Sequence, residues 1–100
     1  MRRYKVVIAP RVFSEIQFAI DYYNEQQKGL VKRFFSEVKR TIEDIRKWPL
    51  YQIRYDDVRC LLVRKFPFMF HFAVDETAGI IYIHAVIHTS LNPDEHWFKI

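Results

Sequence analysis

Apolar positions change their period along this chain, and the changes outline a fold. From Arg3 to Ala9 they alternate, with Tyr4, Val6 and Ile8 on one side and Arg3, Lys5 and Val7 on the other, as a strand requires. Pro10 suits the first turn of a helix, because its fixed φ is already helical and its missing N–H has no partner there. Phe13, Ile16, Ala19, Ile20 and Tyr23 then recur at helical spacing and predict a first helix that ends near Lys28-Gly29. Val31, Phe34, Phe35, Val38, Ile42 and Ile45 step by three and four residues, a stripe roughly 100° wide that predicts a second helix. Trp48-Pro49 closes it, since the residue before proline is disfavoured in the helical region.

Strand signals dominate afterwards. Gln52-Ile53-Arg54-Tyr55 reads as extended, Asp56-Asp57 as a turn, and Val58 to Arg64 as the next strand. Pro67 cannot donate to a ladder, so Arg64-Lys65-Phe66-Pro67 marks a bend or a strand start. Phe68, Phe70, Phe72 and Val74 alternate with Met69, His71 and Ala73, and Asp75-Glu76-Thr77-Ala78-Gly79 forms the loop into Ile80 to His88. Strict alternation in this last strand puts Ile81, Ile83, Ala85 and Ile87 on one side, and Ile80, Tyr82, His84, Val86 and His88 on the other.

The predicted order is strand, helix, helix, then three or four strands on short connections, which is an α+β fold with a mostly antiparallel sheet. The two-helix hairpin covers one face of that sheet. The late strands are apolar on both sides, so the uncovered face is expected to meet a partner.

Length and composition narrow the class. One hundred residues suffice for one core, so residues 1–100 are expected to form a single domain, and 17% aromatic content makes that core rich in rings. Sixteen Lys and Arg against twelve Asp and Glu give a net charge of +4, which favours an acidic partner or a nucleic-acid surface. The segment of the second helix concentrates this charge. Lys28, Lys32, Arg33, Lys39, Arg40, Arg46 and Lys47 face only Glu37, Glu43 and Asp44, seven cations against three anions. The single Cys60 cannot form an internal disulfide and fits a reducing, cytoplasmic setting as a small buried thiol. The apolar stretch before Pro10 is too short for a signal peptide, and no later stretch reaches the ~18 apolar residues of a membrane span.

Candidate chemistry is sparse. His84 and His88 are ~13 Å apart along a strand at ~3.3 Å per residue, too far for one ion, so no metal or other cofactor is expected. A nucleophilic Cys60 would need an exposed thiol beside a base, whereas its apolar run suggests burial. Metal-free RNA cleavage needs a base, cations for the phosphorane and an acid; Arg59, Arg64, His71 and His88 are suitable groups on adjoining strands. The alternative for the same residues is solvated charge and a polar sheet face.

The sequence resembles the ParE branch of the ParE/RelE toxin family from Tyr4 to about Trp97. The resemblance is carried by Ala19-Ile20-Asp21-Tyr22-Tyr23, Arg33-Phe34-Phe35, Ile42-Glu43-Asp44-Ile45 before Pro49, Val58-Arg59, Arg64-Lys65-Phe66-Pro67-Phe68, and Ala85-Val86-Ile87-His88 with Asn92-Pro93. It implies the toxin of a type II toxin-antitoxin pair, of the kind associated with plasmid stabilisation. Such a toxin is neutralised by a co-expressed, often acidic antitoxin and acts on DNA gyrase; RelE relatives instead cleave messenger RNA on the ribosome. Under it, the residues expected to meet partners are Lys32, Arg33, Lys39, Arg40, Arg59, His71, Tyr82, His84 and His88. No catalytic residue is implied on the ParE side.

Departures from the RelE pattern weigh against the nuclease. Phe68 stands where RelE-type enzymes carry an arginine early in the penultimate strand, and Thr89-Ser90 where another follows the last strand. His96-Trp97 falls near their C-terminal tyrosine. A phosphorane without those cations loses several kcal/mol of stabilisation. Leu91 lies where many ParE members carry an arginine near the Asn-Pro pair, which leaves open both the target and toxicity itself, the further alternative being a non-toxic family member that only binds its antitoxin.

Overall fold

The computed structural model describes residues 3–27 and 29–89. Leu91, Asn92-Pro93 and His96-Trp97 lie outside them. The elements run β1 (Lys5–Ile8), α1 (Pro10–Gln26), α2 (Leu30–Lys47), β2 (Ile53–Tyr55), β3 (Val58–Leu62), β4 (Phe68–Asp75) and β5 (Ile80–His88). The sheet order is β1-β5-β4-β3-β2, with β1 parallel to β5 and every other pair antiparallel. This is the expected α+β architecture, with β2 as a short fifth strand.

Pro10 opens α1 as its sequence position predicts, and Ala9 precedes it without a side-chain cap. The helix stops sooner than Gly29. Gln27 is extended and donates its N–H to Tyr23 O, whereas Gly29, at φ 89°, sits at the entry of α2. Its left-handed backbone directs the chain into the second helix. At the other end Trp48 donates to Asp44 O, and Arg46 and Lys47 place positive charge by the last carbonyls.

The helices and the inner face of the sheet enclose a ring-rich core. Tyr23, Phe34, Phe66 and Phe68 meet with centroids 5.1 to 6.1 Å apart, mostly edge to face, which suits their quadrupoles. Phe70, Phe72, Ile81, Ile83 and Val86 continue the core from the central strands. Two members of the predicted helical stripes lie outside it: Phe13 is 62% exposed and Phe35 45% exposed, with Lys39 Nζ 4.8 Å from the Phe35 ring centroid. Val12 and Thr41 are buried on the corresponding faces, and Thr41 donates to Glu37 O at 2.7 Å. The helices are therefore rotated slightly from the orientation their largest side chains suggest.

A register shift corrects the predicted phase of β5. His71 pairs with Ala85 but Phe72 pairs with Ile83, so His84 is an extra residue on the β5 side. Ile81 and Ile83 face the helices before it, and Val86 and His88, opposite Phe70 and Phe68, face them after it. Ala85 and Ile87 thus share the outer face with Ile80 and Tyr82, not the face of Ile81 and Ile83.

Candidate partner-binding cleft

Three elements border one cleft. α1 contributes Ser14, Phe18 and Tyr22, spaced four residues apart and therefore aligned along one side of the helix. The turn between β3 and β4 contributes Lys65 to Pro67, and the end of β5 contributes Val86, Ile87 and His88. Tyr23, Leu30 and Phe68 join the lining, and the open cleft has a volume of about 930 Å³, within the range of ligand-sized sites.

The turn is shaped by its own sequence. Lys65 has φ 68°, Phe66 donates to Val63 O at 3.0 Å, and Val63 donates to Phe68 O at 2.8 Å. Pro67 needs no donor, and its carbonyl accepts from Thr89 N–H at 2.9 Å, which ties the turn to the end of β5. Phe66 is driven inward while Lys65 and Pro67 remain outside.

The α1 wall is unusual for a solvated surface. Phe18 is 73% exposed and Tyr22 50% exposed, adjacent to the buried Tyr23. Fully burying such a ring is worth roughly 1.5 to 3 kcal/mol, so both leave appreciable apolar surface in water. The charge in the cleft is largely committed: Glu15 Oε2 accepts from Arg11 Nη2 at 3.0 Å and its Oε1 accepts the Val86 N–H at 2.9 Å. Lys65 lies on the rim, and Lys32 and Arg33 follow Leu30 on the exposed face of α2. The surroundings favour an apolar ligand with acidic flanks.

The residues expected from sequence to meet partners fall into four places. Lys32, Arg33, Lys39 and Arg40 are exposed on α2. Arg59 lies opposite Phe72 on the helix side of β3, where Nη1 donates to Tyr51 O at 2.7 Å. His71, Tyr82 and the bulged His84 belong to the outer face or its irregularity, whereas His88 lines the cleft against the Phe68 ring. Arg64, named for the nuclease alternative, stands exposed in the turn. Arg59 and His88 therefore share the helix side and His71 the opposite side; the structure does not gather the four nuclease candidates.

The outer face holds an arrangement that composition concealed. Cys60 lies directly across from His71, with Sγ 3.4 Å from Nδ1, and Tyr55 OH approaches the same nitrogen at 2.9 Å. Cys60 is half-buried rather than buried, but burial raises its thiol pKa while Arg54 opposes the shift. Burial, with smaller contributions from Arg54 and His84, depresses His71 to about 4. A neutral imidazole beside a protonated thiol is a hydrogen-bonded cluster, not an activated nucleophile. His84 is also depressed, by burial with Asp57 opposing. Among the described residues no three His, Cys, Asp or Glu side chains come together as a metal ion requires. No described helix is long and apolar enough to cross a membrane.

Sequence reasoning missed Phe18, Tyr22, Lys65 and Pro67 as lining of this cleft. The four-residue step from Ser14 to Phe18 to Tyr22 was a usable signal, because it sets two rings beside the stripe that packs inward.

No family model matches the sequence, and no curated protein matches it. Its fold is similar to a solved structure described as the chromosomal ParDE TA system from P. aeruginosa. The TM-score is 0.71 at 13% sequence identity, and the match covers 86% of this chain and 96% of that one. The likeness extends over nearly the whole of both chains, so the fold expected from the ParE resemblance is the fold observed.

Proposed function

We propose that this chain is the toxin of a type II toxin-antitoxin pair, that its antitoxin covers the cleft between α1, the β3–β4 turn and β5, and that its target is DNA gyrase in the cytoplasm. The observation that carries the reading is the pairing of a ParDE-like fold with an aromatic cleft left open to solvent. Phe18 and Tyr22 offer anchors of the type that dominate binding energy, and the rim cations complement an acidic segment. A segment that folds on binding offsets its ordering cost by covering such rings.

The ribonuclease alternative has weaker support, because Arg59 and His88 lie on one side of the sheet and His71 on the other. Purified protein added to gyrase supercoiling reactions and to translating ribosomes separates the targets. Inhibited supercoiling with intact messenger supports the proposal; messenger cleavage with normal supercoiling refutes the gyrase assignment.

A further inference from the structure

The solvent side of α2 carries more positive charge than its fold requires. Two rows of cations run along it, Lys32, Lys39 and Arg46 in one and Arg33, Arg40 and Lys47 in the other, each row stepping by seven residues. A seven-residue step drifts only ~20° from two full turns, so each row keeps to one side of the helix. At ~1.5 Å per residue its members stand about 10.5 Å apart. Phe34, Val38, Thr41 and Ile45 are buried on the opposite side, while all six cations except the half-buried Arg46 are exposed. Little nearby answers this charge. Glu43, between the rows, is already held by Arg3 Nη2 at 2.6 Å and by Arg46 Nη1 at 3.5 Å; Glu37 is half-buried, and Asp44 is the one exposed carboxylate on the helix. Among the described residues Lys32, Arg33, Arg40 and Lys47 join no ion pair, and Lys39 lies over the Phe35 ring. Lys32 and Arg33 also stand near the N-terminus of α2, whose first turn has no acidic residue although the helix dipole favours anions there. A helix optimised for its own stability would carry the opposite charge at that end.

We propose that this face of α2 binds the phosphate backbone of double-stranded DNA without reading its sequence. The inference goes beyond the toxin reading and does not depend on it. A repeating array of cations is complementary to a repeating array of phosphates, and steps of about 10.5 Å approach the ~12 Å width of the major groove, so successive pairs reach phosphates on its two sides. The helix contains no Asn or Gln to read base edges, so its contacts stop at the backbone. A single strand would ask for a platform of several rings, whereas Phe35 is the large apolar side chain exposed on this helix. The face is also separate from the cleft, whose lining takes only Leu30 from α2. Held in this way, the chain concentrates along DNA and moves along it without choosing a sequence.

Fluorescence anisotropy of a labelled, mixed-sequence DNA duplex, titrated with the purified chain at several salt concentrations, tests the proposal. Five phosphate contacts, from Lys32, Arg33, Lys39, Arg40 and Lys47, predict a slope of about −4.5 in the logarithm of affinity against that of salt, and the same affinity for a duplex of unrelated sequence. Lys39→Ala, Arg40→Ala and Lys47→Ala together leave two contacts, so the slope should fall to about −2 and the affinity at low salt by tenfold or more. The urea midpoint of this variant should change little, because all three side chains are exposed. If it does not fold, Lys39→Gln with Arg40→Gln serves instead, with a slope of about −3. Folded wild type that leaves the duplex free, or a slope and affinity that the substitutions do not alter, overturns the proposal. Tighter binding of an RNA hairpin, or of an acidic peptide of equal charge, than of the duplex also overturns it. Each of these outcomes leaves the cleft and the toxin reading untouched, and failure of the toxin reading leaves the duplex measurement standing.

Discussion

Acidification should weaken this fold through His71 in a measurable window. The imidazole is 2% exposed, its Nδ1 is contacted by Tyr55 OH and Cys60 Sγ, and its pKa falls from 6.5 to about 4. The unfolded chain binds the proton near pH 6.5 while the folded chain resists it, so stability is full above 6.5 and is lost as pH falls toward 4. A displacement of this size corresponds to about 3 kcal/mol, a large share of a small domain's stability. Urea unfolding of wild type and His71→Phe between pH 7 and pH 4 isolates the contribution. The variant loses the Tyr55 contact at every pH, but it does not titrate, and shared carboxylate effects cancel in the difference. The wild-type advantage should shrink by about 3 kcal/mol across the window. The His71 ring resonance should titrate near 4. A midpoint near 6.5, or a wild-type-to-variant difference that does not change with pH, would refute the reasoning.

Three variants probe other parts of the account. Phe34→Ala removes a fully buried ring from the aromatic cluster and should cost about 3 to 5 kcal/mol in denaturant unfolding, with the midpoint falling accordingly. Gly29→Ala should cost about 1 to 2 kcal/mol through its left-handed backbone, not through a clash, because nothing lies within 4 Å of the added methyl. Phe18→Ala with Tyr22→Ala should change the melting temperature little, since both rings are exposed, yet weaken antitoxin binding in calorimetry by tenfold or more.

The parts of the fold legible in the sequence are those fixed by local periodicity. Val38 and Ile45 lie within one helical stripe and are both buried, and Tyr4, Val6 and Ile8 alternate and pack against the core. What periodicity leaves open is the rotation of each helix, which is how Phe13 and Phe35 came to lie outside while Val12 and Thr41 lie inside. The bulge at His84 breaks the alternation of β5 without leaving a mark in its sequence, and it reverses the faces of Val86 and Ala85. Gly29 was readable as a left-handed residue, but the same conformation serves the end of one helix and the start of the next.

Sites that join distant segments were harder to see. The Cys60–His71 pair could have been found, because pairing across the β3–β4 hairpin is symmetric about Lys65-Phe66 and places the two residues opposite each other. The Glu15–Val86 contact could not, because it spans two elements with no pattern linking them. The basic face of α2 was legible, yet the cleft depends on rings and a turn that only the packing of α1 against β5 brings together.

The most direct test of the toxin reading is growth after induced expression of this chain, alone and together with the protein from the adjacent reading frame. The account predicts arrest with the chain alone, relief by the neighbour, and renewed arrest when Phe18→Ala and Tyr22→Ala weaken the complex but preserve the toxin's action. Unimpaired growth with the chain alone, despite folded protein in the cells, would contradict it.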